Sequence, residues 1–221
     1  APRGPRWQAC PPGFESEATE LAWRTVPLMH GDDAALDVLA QVLAGGTGSL
    51  VASRVQHDEG LAATPWGSSS LKRRGGDLVL GFTPLPGKAR AAVDAALQVV
   101  EEVRERGVSS DRVARAKASI LADMAFAVET VEGMASEVAW YTSVYGQAEA
   151  RDQLREAVAA VTPTQVQEAA RRWLTEERRV VTSHAPLAAR PTPRPRPRPA
   201  TPTSLGKAHE RQDSCRQDVF A

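Results

Sequence analysis

From Gly87 to Leu174 the apolar residues recur at helical spacing almost without interruption. Period-two alternation is confined to Thr19–Val26, Leu61–Ser70 and Asp77–Thr83 before that run, and to Arg178–Ser183 after it. A doubly wound parallel sheet needs a crossover helix between successive strands. Here the two middle stretches are joined instead by the polar turn Lys72-Arg73-Arg74-Gly75-Gly76, and most helices follow them as a group. That order predicts an α+β fold, a mostly antiparallel sheet packed against a group of helices.

Caps and breakers sharpen the helices. Asp32 or Asp33 is placed to cap a helix carrying Leu36, Leu39, Val42 and Leu43, which stops at Gly45-Gly46. Ser49 caps a second, short helix through Val51 and Val55, closed by Gly60. Gly87 to Arg106 sets Val93, Leu97, Val100 and Val103 on one stripe and ends at Gly107. The next helix starts at Ser109 or Ser110. Val113, Ile120, Leu121, Met124, Val128 and Val131 mark its apolar face, up to an expected break at Gly133. Further helices are predicted around Met134–Tyr145 and Glu149–Ala160. Thr162-Pro163-Thr164-Gln165 then has the Thr, the first-turn Pro and the Gln of a capping box.

The two ends differ in kind. Residues 1–18 are rich in Pro and Gly, and Arg190 to Pro199 alternates Arg with Pro, which favours extended polyproline II. The expected organisation is a poorly structured head over 1–18, one lobe over 19–185 and a Pro/Arg-rich disordered tail over 186–221. The opening Ala-Pro-Arg-Gly-Pro-Arg has neither initiator Met nor signal peptide and reads as a cut end. A central segment of about 170 residues buries roughly 70% of its unfolded surface, enough for one core.

Lys plus Arg and Asp plus Glu tie at 27 each. No charge excess therefore draws the chain to nucleic acid, and no apolar run approaches the roughly 20 residues of a membrane span. Cys10 and Cys215 fall in the weak ends and build neither a disulfide framework nor a thiolate metal site. The composition fits a soluble protein of the cytoplasm or the periplasm equally.

The motifs that carry chemistry are mostly excluded by spacing. A zinc-peptidase helix needs two His four apart, with a Glu beside one of them to activate water. His30, His57, His184 and His209 are all unpaired, and His57-Asp58-Glu59 has no second His within reach. Gly81 to Lys88 ends in Gly-Lys between a strand and a helix. Five residues separate Gly81 from Gly87 where a phosphate loop needs four, and Ala89 replaces the magnesium-binding hydroxyl. Gly45-Gly46-Thr47-Gly48-Ser49 follows a helix, not a strand, so it is no dinucleotide fingerprint.

Several segments in order resemble one family. Asp32-Asp33-Ala34-Ala35-Leu36 leads to Gly45-Gly46, then Ser49, then Gly60-Leu61-Ala62. Phe82-Thr83-Pro84 followed by Lys88, the helix start Val108-Ser109-Ser110-Asp111-Arg112-Val113-Ala114-Arg115-Ala116-Lys117, and Val161-Thr162-Pro163-Thr164-Gln165-Val166-Gln167 continue the match. Together they resemble the second, non-zinc lobe of the insulinase-like zinc metallopeptidases, which include pitrilysin and the mitochondrial processing peptidases. The resemblance covers nearly all of 19–185 and implies one lobe of a clamshell peptidase. A partner lobe or subunit would carry His-x-x-Glu-His and zinc, peptide would be the substrate, and this chain would hold no cofactor itself.

In many members the second lobe supplies an Arg and a Tyr to the substrate backbone. By resemblance those positions are Gln56 and Ala63, and both depart from the pattern. Gln lacks the charged fork of Arg, and Ala has no donor. The resemblance thus implies a substrate-enclosing lobe without catalytic residues or metal of its own. The alternative is a degenerate scaffold member of the same fold.

Overall fold

The alternating stretches do form one sheet, but one of its strands comes from the head. The computed structural model describes residues 6–9, 18–27, 30–70 and 75–185. Its strands are β1 (Arg6–Ala9), β2 (Ala18–Thr25), β3 (Ala62–Ser70), β4 (Gly76–Pro84) and β5 (Arg179–Ala185), in the spatial order β1-β5-β2-β4-β3. The β2–β4, β2–β5 and β3–β4 pairs are antiparallel, as expected. β1 is different: it lies parallel to β5, from Arg6 opposite Thr182 to Ala9 opposite Ala185. The head reads in the sequence as poorly structured. A four-residue edge strand is held by the backbone of its neighbour, so its own apolar pattern need not announce it. The tail, 186–221, lies outside the described residues, as do the rest of the head and 71–74 of the hairpin turn.

The helices are α1 (Asp33–Ala44), α2 (Ala89–Arg106), α3 (Ser110–Phe126), α4 (Val131–Tyr145), α5 (Ala150–Ala160) and α6 (Pro163–Trp173), with a π-helix at Ala52–Asp58 and a short 3-10 turn at Glu176–Arg178. α1 is the hub. Leu36, Val38, Leu39 and Leu43 are fully buried, and Ala34, Ala35, Ala40 and Ala44 are almost as inaccessible. Small alanines on its remaining sides let β3, β4, α3, α5 and α6 all approach it. The inward sheet residues Leu21, Trp23, Leu78, Leu80 and Val181 complete the core from the other side. Every described residue belongs to one compact unit that ends at Ala188. Among the described residues no helix is long and apolar enough to cross a membrane.

Capping bears out some expectations and corrects others. Thr162 and Gln165 make the reciprocal capping box at the start of α6. The Ser49 hydroxyl accepts from the Ala52 N–H at 3.3 Å, just ahead of the π-helix. Asp32 sits before α1 without capping it by its side chain. Its carboxylate instead accepts from Arg172 at 2.7 Å and from the Trp173 indole at 2.8 Å. Gly133 does not break a helix. It lies in the first turn of α4 and donates its N–H to the Thr130 hydroxyl at 3.0 Å, so the chain turns at Ala127–Thr130 instead. Val131, expected on the apolar face of the preceding helix, is 90% exposed.

Candidate functional site

Alternate residues of four strands make a second sheet face, opposite the helices. The register sets Val180, Ala22, Val79 and Ser68 in one row, and Thr182, Glu20, Gly81 and Trp66 in the next. Their neighbours of opposite parity are core residues, whereas these are exposed or half-buried apart from Gly81. Among the described residues this face is therefore open, and it is built largely of small side chains. The Trp66 indole packs against Gly81, where any Cβ would run into the ring.

The entrance to β3 is irregular. The π-helix ends at Asp58, and Gly60, two residues on, has a φ of +56° that favours glycine. The Leu61 N–H then donates back to the Val55 carbonyl at 2.8 Å. β3 carries a bulge between Ala63 and Trp66, inside which Thr64 adopts φ +45°. A β-branched residue in the left-handed region stores about 1–3 kcal/mol, and such strain gathers at functional sites. The Thr64 hydroxyl donates to that of Thr83 at 3.3 Å. Pro65 is the sequence signal that marks the irregularity, because proline inside a strand pattern implies an edge or a bulge.

Ala63 pairs with Thr83 and so continues the open face toward the start of the strand. Gln56 is half-buried in the π-helix. The Val55–Leu61 backbone bond puts both positions in one short loop-and-strand segment. The nearby basic groups are engaged elsewhere. Arg54 binds Glu102 of α2 at 3.0 and 3.3 Å and lies 4.0 Å from Glu59. Lys88, which a phosphate loop would aim at its ligand, donates to the Gly60 carbonyl at 3.2 Å. It pins the same segment from the side of α2.

Strongly perturbed titratable groups lie on the helix side of the sheet. Burial, then the charge of Asp33, push the Asp37 carboxyl up to about 7, partly offset by Ser69. Burial likewise raises the Tyr141 and Tyr145 phenols of α4. Among the described residues no group of three or more His, Cys, Asp and Glu could hold a metal ion. The His57 ring faces the Thr47 carbonyl at 3.3 Å, and His30 meets Trp173 edge-on at 5.8 Å. This donor set does not fit zinc.

A family model described as the peptidase M16 inactive domain matches residues 10–120. Among solved structures, a protease from Helicobacter pylori superposes with a TM-score of 0.75 at 16% identity, covering 82% of this chain and 44% of that one. The peptidase M16 inactive domain from Pseudomonas fluorescens gives 0.70 at 16% identity, covering 84% and 43%. An inactive peptidase domain from Bordetella parapertussis gives 0.72 at 18% identity, covering 82% of this chain and 98% of its own. The chain thus spans less than half the length of the first two. No curated protein matches it.

Proposed function

The chain belongs to the peptidase M16 inactive-domain family, and on that footing we propose that it is the non-zinc, substrate-enclosing lobe of an insulinase-like metallopeptidase. Alone it is catalytically incompetent. Zinc and its His-x-x-Glu-His ligands belong to a partner lobe, either in the same polypeptide or on a separate chain, and peptide is the substrate. This lobe's residues enclose and bind. They move no proton and hold no metal.

The observation that carries this reading is the open sheet face with Ala63 at its rim. A peptide held on a facing lobe needs a smooth wall opposite it, and the small side chains of Ala22, Val79, Ser68 and Gly81 supply one, with Glu20 as a charged group beside Gly81. Trp66 gives that wall one broad apolar contact. At position 56 the Gln amide offers a neutral hydrogen bond to a peptide carbonyl in place of a charged fork. The competing scaffold reading draws on the same substitutions and on the engagement of Arg54 by Glu102.

Assembly with the zinc-bearing lobe separates the two. The enclosing-lobe reading expects peptide cleavage that neither lobe shows alone. It also expects the double change Gln56→Arg with Ala63→Tyr to raise turnover, after any Arg/Tyr pair on a partner has been removed. An assembly that forms and binds no peptide would establish the scaffold.

A further inference from the structure

Most of the large apolar side chains that the described residues expose lie between Phe126 and Trp140. Phe126 is 65% exposed, Val131 90%, Met134 53%, Val138 49% and Trp140 48%. They belong to the hairpin formed by the end of α3 and the start of α4. Val131, Met134 and Val138 share one stripe, at i, i+3 and i+7. A helix normally turns such a stripe toward its own core, whereas here it faces outward. The far half of α4 is docked through the buried Tyr141. Arg151 of α5 anchors the hairpin from below by pairing with Glu137 at 3.4 Å and donating to the Met124 carbonyl. A cavity of about 290 Å³, lined in part by Val128, Met134 and Val138, opens at that base.

Charge says what covers this surface. The chain balances its charges overall, yet from Ala118 to Ala150 it has no Lys or Arg, while Asp123, Glu129, Glu132, Glu137 and Glu149 all fall there. Glu137 is taken by Arg151, and the other four are exposed. An apolar stripe rimmed with carboxylates fits an apolar surface rimmed with Lys and Arg. It does not fit a second copy of itself, because a two-fold contact would set carboxylates against carboxylates. The Helicobacter pylori chain, of which this fold covers 44%, leaves room for a further lobe of comparable size.

We propose that the α3–α4 hairpin is the docking arm of this lobe, seated on a basic-rimmed apolar surface of the zinc-bearing lobe. This rests on the enclosing-lobe reading above. The arm contributes no donor to the peptide. It sets how firmly, and in what orientation, the two lobes close.

The test measures association of this full chain with the purified His-x-x-Glu-His lobe, by calorimetry or surface immobilisation. Replacing Met134 and Val138 together by Glu is expected to weaken binding at least ~tenfold, as for central interface residues. Glu132→Lys should weaken it too, while the exposed Asp94→Lys on α2 serves as a remote charge control and should leave it within about twofold. Raising the salt from about 50 to about 500 mM should weaken the wild-type pair. Circular dichroism melts of each variant check that the lobe still folds. Normal binding by the folded Met134→Glu/Val138→Glu variant would overturn the docking arm and leave the enclosing-lobe reading standing. No binding by the wild-type pair would overturn both. A dimer of this chain alone that the same variant abolishes would assign the arm to a second copy instead.

Discussion

The Trp173 indole N–H donates to the Asp32 carboxylate at 2.8 Å, across 141 positions of sequence. The same oxygen accepts from Arg172 at 2.7 Å, and Arg178 lies 4.6 Å from the ring centre of Trp173 on the way to β5. The entry to α1, the hub helix, is therefore fastened to the exit of α6. Asp32 works as a clasp, although its position in the sequence is that of a cap.

A clasp and a cap respond differently to substitution. Asp32→Ser would keep a good capping residue, yet it should destabilise by about 1–2 kcal/mol, the worth of a charge-assisted pair of hydrogen bonds. For a domain of this size that lowers Tm by roughly 2–8 °C. Thermal melts of Asp32→Ser and Arg172→Ala, with the double variant, should show strong coupling. Full stability in Asp32→Ser would return the residue to a capping role.

Asp37 predicts how stability depends on pH. Its folded carboxyl titrates at about 7 against an ordinary value of 3.8, so between those values the folded state holds the extra proton. Stability is then greatest at the acid end of that window and falls as pH rises through it, by up to about 1.4 kcal/mol per pH unit. Asp37→Asn should remove this slope and stabilise the lobe at pH 8. Denaturant midpoints measured at pH 5, 6.5 and 8 check it. A slope unchanged by the substitution would refute the assignment.

Thr64 is the one described non-glycine residue at positive φ. Thr64→Gly should stabilise the lobe by about 1 kcal/mol, since relief of the left-handed strain outweighs one exposed hydroxyl contact and the added chain entropy. Equilibrium urea unfolding reads this directly. Destabilisation would mean that the Thr64–Thr83 hydroxyl pair holds the bulge together.

Two glycines of the same sheet should behave differently. A Cβ on Gly67 would stand 2.7 Å from Ala44 Cβ and 3.1 Å from a Leu80 methyl, both fixed in the core. A Cβ on Gly81 meets Trp66, which is exposed and can swing away. Gly67→Ala is expected to cost about 1–3 kcal/mol, the usual range for overpacking. Gly81→Ala should cost less and shift the Trp66 emission to the red. Equal losses would argue against an open outer face.

How much was legible beforehand follows from what kind of interaction each feature rests on. The capping box at Thr162–Gln165, the hairpin of β3 and β4, and the stripe of Val93, Val100 and Val103 are made by residues a few positions apart. Spacing alone reveals them. Gln56 and Ala63 could be located by resemblance, and Arg54 could be seen nearby. Its engagement with Glu102, which lies 48 positions away, could not be read. The bulge at Ala63–Trp66 is absent from the alternating pattern of Leu61–Ser70; Pro65 is a local mark of it, but nothing nearby specifies the left-handed turn at Thr64.

The fold class, most of the helices and the pairing of the central strands follow from local pattern, because periodicity, caps and turns act over a few residues. Long-range packing set the rest. It took the Asp32 carboxylate from α1 and gave it to α6, recruited Arg6–Ala9 through the backbone of β5, and moved the helix break from Gly133 to Ala127–Thr130. It also buried the alanines of α1 while leaving Val131 and Met134 uncovered. Each of these outcomes depends on which distant surface reaches a residue first. An apolar or charged side chain has the same local pattern whether it is later buried or left for a partner.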